Sequence, residues 1–138
     1  MILKYIRLEP NIKPPDISKF SPFKSVVIIE ELVTLEWQTI ISDWLVNSGC
    51  LYMMAWGNEC SSWDDSVDVS LLEKWDYNDI PEDSFIMTTW HENEPLEEVF
   101  WFSKHCAYDS NVDIKNTLLI HISKLNKEDI FLAKYKQV

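Results

Sequence analysis

At 138 residues, the chain is long enough to bury one sizeable core, and its 46% hydrophobic content separates it from disordered sequences. Two glycines exclude a Walker loop or a dinucleotide fingerprint, since each needs several. A net charge of −11 argues against nucleic acid as a partner, because phosphates are neutralised by a basic surface.

Residues 1–23 hold four of the six prolines, and Ile2 to Leu8 reads as a short strand ahead of them. Proline fixes its own φ and restricts the residue before it, so Pro10 to Pro22 is expected as an extended arm. The remaining residues, 24–138, read as one α/β domain. Ser25 to Ile29 is a continuous β-branched run, as in a strand covered on both faces. Thr34 fits an N-cap, and Trp37, Ile40, Ile41, Trp44 and Leu45 follow at helical spacing until Gly49. Leu51 to Trp56 is a second apolar strand. A short helix is expected over Ser66 to Trp75, with Val69, Leu72 and Trp75 inward, then a polar turn region to Ser84.

Phe85 to Trp90 forms the third strand of this series, and Pro95 suits the first position of a helix that buries Leu96, Val99, Phe100 and Cys106. Thr117 to Ile122 is the fourth strand. Asn126 caps a last helix, Lys127 to Lys136, with Ile130, Phe131 and Tyr135 inward. This alternation predicts a small doubly wound α/β domain: a four-stranded, mainly parallel sheet in the order 2-1-3-4, with helices on both faces and the N-terminal segment as arm or edge strand. No apolar run reaches signal-peptide or membrane-span length. Cys50, Cys60 and Cys106 make an odd set with no close pair, so a cytoplasmic protein with reduced thiols and no membrane contact is expected.

Ligands of such sheets sit beyond the carboxyl ends of the strands. Those positions gather Glu30, Glu59, His91, Glu92 and Glu94, which fit acid/base chemistry of a hydrolase type; the same acids also suit helix starts, where the dipole favours them. Cys60 falls on a loop among acids that would raise a thiol's pKa, which disfavours a nucleophile. The cysteines show no CxxC pair, and neither a metal nor a cofactor is expected.

The charge itself is local. Residues 59–98 carry thirteen of the twenty-three carboxylates and one cation, Lys74. Trp63, Asp64, Asp65, Asp68, Glu73, Trp75, Asp76, Tyr77, Asp79, Glu82 and Asp83 interleave carboxylates with aromatic rings. Such a segment is either a solubilising surface or a docking face for a basic protein, with Trp and Tyr as anchors.

In its size, its acidity and the clustered segment Ser62-Trp63-Asp64-Asp65 to Asp83, the chain resembles small bacterial immunity proteins of contact-dependent inhibition and related polymorphic toxin systems. The segments Gly49 to Gly57 and Thr89 to Glu92 also resemble an uncharacterised family of small bacterial proteins. The first resemblance implies an intracellular inhibitor that binds a cognate toxin domain, a nuclease among the possibilities. It carries no catalytic residue over to this chain and leaves the oligomeric state open.

Overall fold

The computed structural model describes residues 1–138. Five strands, β1 (Leu3–Leu8), β2 (Phe23–Ile29), β3 (Cys50–Gly57), β4 (Met87–His91) and β5 (Asn116–Ile122), form one sheet in the order β1-β5-β2-β3-β4, and every neighbouring pair is parallel. Four helices cover it: α1 (Leu35–Ser48), α2 (Cys60–Lys74), α3 (Leu96–His105) and α4 (Glu128–Gln137). The α/β class and the parallel sheet agree with the sequence. The expected four-stranded sheet in the order 2-1-3-4 does not. The N-terminal segment contributes a fifth, paired strand, and the Thr117–Ile122 strand inserts between it and β2. Apolar periodicity marks where strands lie along the chain; it does not encode which strands become neighbours.

The pleat divides the core in two. Val27 and Ile29 of β2, with Met53, Ala55, Leu118 and Ile120, face α1 and α2. Val26 and Ile28, with Tyr52, Met54 and Leu119, face α3 and α4. Ile17 and Phe20 of the proline arm are buried against the α1 side, and the indoles of Trp37 and Trp44 donate to the carbonyls of Ile12 and Pro15. Burying each such apolar side chain contributes roughly 1.5–3 kcal/mol. The arm is thus pinned by two indoles and two apolar plugs.

Local signals place the helix ends well and the helix faces less well. Thr34 caps α1 by accepting from the Trp37 N–H at 3.2 Å, and Gly49 ends it at φ 101°. The buried face of α1 is turned from the expected stripe: Ile40 is exposed and Trp44 half-buried, while Gln38 and Ser42 point inward. They meet α2 across a polar seam, Gln38 Nε2 donating to Ser62 Oγ at 3.1 Å and Ser42 Oγ bonding Ser66 Oγ at 2.7 Å.

Helix α2 starts six residues before the expected Ser66, and its inner face is Cys60, Trp63, Asp64, Val67, Ser70 and Leu71; Val69 and Leu72 are exposed. Pro95 is the N-cap of α3 rather than its first helical residue, and Cys106 lies just past its end, half-buried. Asn126 accepts from the Glu128 N–H at 2.9 Å, so α4 begins one residue later than expected, with Ile130 outward.

The two edges differ in charge. β1 carries Lys4 and Arg7, and α4, in which Glu128 and Asp129 balance Lys134 and Lys136, packs beside it. β4 carries no Lys or Arg, and α2 packs beside it.

Gly57 closes β3 at φ 103°, where an added Cβ would run into the backbone carbonyl of Ile29. Gly57→Ala is therefore expected to lose about 2–4 kcal/mol of unfolding free energy, measured by urea denaturation. A loss below about 0.5 kcal/mol would show that the neighbouring backbone yields freely.

Candidate functional site

The strand-end residues separate into two networks. In the first, β5 carries His121, which is fully buried between Tyr5 of β1 and Phe131 of α4. Its Nε2 lies 2.5 Å from Glu30 Oε1, and its Nδ1 lies 2.6 Å from the Tyr5 hydroxyl. Lys127 closes the circuit: its Nζ donates to both Glu30 oxygens at 3.1 Å, and its backbone N–H donates to the Tyr5 oxygen at 3.1 Å. One tautomer satisfies every bond, with Nε2–H donating to Glu30 and Nδ1 accepting from Tyr5.

Burial holds the His121 ring below the usual 6.5, against the pull of Glu30, so it is neutral at pH 7. Burial pushes the Glu30 carboxyl up, but hydrogen bonds from His121 and Lys127, backed by the lysine charge, bring it below 4.5. Burial also raises the Tyr5 phenol, which remains a donor.

The second network surrounds His91 at the end of β4. Nδ1 lies 3.0 Å from Glu94 Oε2, Nε2 lies 2.9 Å from Thr89 Oγ1, and the ring packs edge-on to Phe102. The Trp56 indole donates to the Glu94 carbonyl at 2.7 Å, fixing the loop that holds Glu94. Glu59, His91, Glu92 and Glu94 line one open depression of about 380 Å³. Glu30 is not part of it. Glu59 sits at φ 55° in the turn before α2, exposed.

Both nitrogens of each strand-end histidine bond within the chain, one to a carboxylate and one to a hydroxyl: Glu94 and Thr89 for His91, Glu30 and Tyr5 for His121. Cys60, expected on a loop, is the first residue of α2; it is buried, and burial keeps its thiol pKa raised. No three His, Cys, Asp or Glu side chains gather as a metal cage.

The acidic segment is sorted by α2. Trp63 is 1% exposed and packs in the core, so it is no surface anchor. Asp64, one residue on, is also turned inward, and its Oδ1 has no partner. Burial raises its pKa against the pull of the nearby Thr88 hydroxyl, and the Asp68 and Asp65 charges add to the rise. Asp68 is half-buried and accepts from Thr88 Oγ1 at 2.7 Å. Trp75 is half-buried against the core, its indole nitrogen enclosed without a partner.

Asp65, Glu73, Asp76, Tyr77, Asp79, Glu82 and Asp83 are exposed, running along α2 and round the loop that enters β4. Of the thirteen carboxylates in residues 59–98, only Glu94 and Glu97 have a basic partner within 4 Å, His91 and Lys134.

Tyr5, Thr89 and Lys127 were not among the sequence candidates. Tyr5 escapes the strand-end rule because it lies inside β1, three residues before its carboxyl end. Thr89 sits inside a strand, and Lys127 reads as an ordinary helix start.

Residues 3–138 match the DUF7684 family model, described as a domain of unknown function, and the chain belongs to that family. No curated protein and no solved structure matches it. No helix is long and apolar enough to cross a membrane.

Two stability outcomes follow from the networks. Glu30→Gln is expected to lose roughly 1–3 kcal/mol at pH 7 by weakening charge-assisted bonds. Glu30 has a depressed folded pKa, so its contribution is present above 4.5 and disappears as pH falls below it. The deficit, followed by urea unfolding against pH, therefore closes in acid. Asp64 has the opposite sign: its raised folded pKa means the buried charge costs stability near neutrality. Asp64→Asn is expected to raise the thermal midpoint at pH 7, with a smaller gain at pH 4, read by calorimetry. A lowered midpoint at pH 7 would mean that the carboxylate has an unseen cationic partner.

Proposed function

We propose that this DUF7684 chain is a binding protein that presents its acidic surface to a basic protein, and that it acts as an inhibitor of the immunity-protein kind. The observation that carries the reading is the unneutralised carboxylate field running from α2 into β4. Opposite-charge partners are available elsewhere in the chain, yet the field has almost none.

Its placement also works against the fold. Glu73 lies in the last turn of α2, with Asp76 and Asp79 just beyond. That end of a helix favours cations, and each acid near it costs up to about 0.3–1 kcal/mol. A charge arrangement held at a cost to stability is expected where charge serves recognition. Tyr77, Phe85 and Trp90 are large exposed rings within the same stretch and supply the contact area that Trp63 cannot.

In such a complex, the carboxylates speed encounter and the rings slow dissociation. Where the partner is a nuclease, the acids stand where substrate phosphates would lie and exclude the substrate. The alternative, a hydrolase using the strand-end rim, draws less support from geometry, because Glu30 does not share the depression that holds Glu59, His91, Glu92 and Glu94.

The test is kinetic. A partner captured from a native lysate and purified is expected to associate about tenfold or more slowly with the variant Asp65→Asn, Asp76→Asn, Asp79→Asn, Asp83→Asn at low salt, and the difference is expected to narrow as salt rises. An unchanged rate with unchanged salt dependence overturns the reading.

A further inference from the structure

The two open edges of the sheet are finished differently. β1 carries Lys4 and Arg7, charges of the kind that protect an edge against pairing. β4 is bonded to β3 on one side only and contains no Lys, Arg or Pro. Met87 and Trp90 on this strand, and Phe85 just before it, are each about half exposed. Beside the edge, on the α3 face, lies a groove of about 510 Å³ whose walls include Tyr52, Phe85, Met87 and Tyr108, with the carboxylates of Glu82 and Asp109. From Trp75 to Ser103 the chain has eight acids and no Lys or Arg.

We propose that β4 is a docking edge for an extended, Lys- or Arg-bearing segment of another protein, which adds a strand to the sheet and lays a cationic side chain in the Tyr52–Phe85–Tyr108 groove. This rests on the binding-protein reading above and specifies how the partner is held. Unpaired N–H and C=O groups along an edge give main-chain affinity, and flanking pockets select side chains. Aromatic walls with two carboxylates match an ammonium or guanidinium group, through ring faces and charge-assisted hydrogen bonds together. The same charge argues against a second copy paired edge to edge, since each copy would bring the acids that flank its β4, Glu82, Asp83, Glu92 and Glu94, toward the other's. Pairing β4 onto the β1 edge of another copy satisfies charge but leaves the contact open-ended, a route to filaments.

The test uses the full-length, isotope-labelled chain and two short peptides of alternating Lys and Val. One is unmodified. The other is methylated on alternate backbone nitrogens, so its charge and side chains are kept while one hydrogen-bonding edge is lost. The unmodified peptide is expected to shift the amide resonances of Met87–His91 and slow their hydrogen exchange. The methylated peptide is expected to bind at least about tenfold more weakly. Met87→Lys, a surface change that places a cation at the groove, is expected to weaken the unmodified peptide by a similar factor while leaving the spectrum dispersed.

Equal affinity of the two peptides with the β4 amides unmoved overturns the added strand; the acidic-surface reading then still stands or falls on the association rates of the Asp→Asn variant. No binding of either peptide also overturns the added strand. Concentration-dependent self-association that protects Met87–His91 before any peptide is added overturns it as well, giving the edge to a second copy.

Discussion

Burying β2 and β5 completely, on both faces and along both edges, is the constraint from which the rest of the architecture follows. Their central residues are sealed from water, and a strand of this kind must have a neighbour on each side and a helix above and below. α1 and α2 cover one face, α3 and α4 the other. Exposed and charged residues are then pushed to the two outer strands and the helix backs.

The strand ends illustrate how this constraint bears on function. In a doubly wound sheet, the crevice between strands whose connections leave in opposite directions is the natural ligand site. Here β2 passes to α1 on one face and β5 to α4 on the other, so the crevice lies between Glu30 and His121. The chain fills it with its own groups. Tyr5 and Lys127 complete a ring of hydrogen bonds in which each donor meets an acceptor. The position that would hold substrate in a related architecture serves here as an internal clasp between β1, β2, β5 and the start of α4. The carboxylates without a basic partner lie away from this clasp, along α2 and the loop that enters β4.

How much of this was legible depended on whether the information was local. The strands were readable from β-branched runs, and α1 from Thr34 and Gly49, because caps and runs are signals within a few residues. The start of α2 was hidden: its inward face includes Cys60, Asp64 and Ser70, so the apolar stripe reads as broken although Trp63, Val67 and Leu71 keep helical spacing. That one misread boundary put Trp63 and Asp64 on the surface. The strand order was not legible either, since β1 joins β5 across more than a hundred residues and no local rule reports such a contact. Among the site candidates, the concentration of charge in residues 59–98 was plain from counting. The split of Glu30 from His91 followed from a strand order that the sequence could not supply.

The opposed charge of the sheet's two outer strands gives the molecule a permanent electrical polarity across its width. Lys4 and Arg7 lie on one outer strand, and the carboxylates of α2 and the loop before β4 lie toward the other. Such a body rotates in the field of a charged neighbour before touching it, so random collisions become oriented ones. For a basic partner of the kind proposed, much of the angular search that slows ordinary protein encounters would thereby be completed in solution.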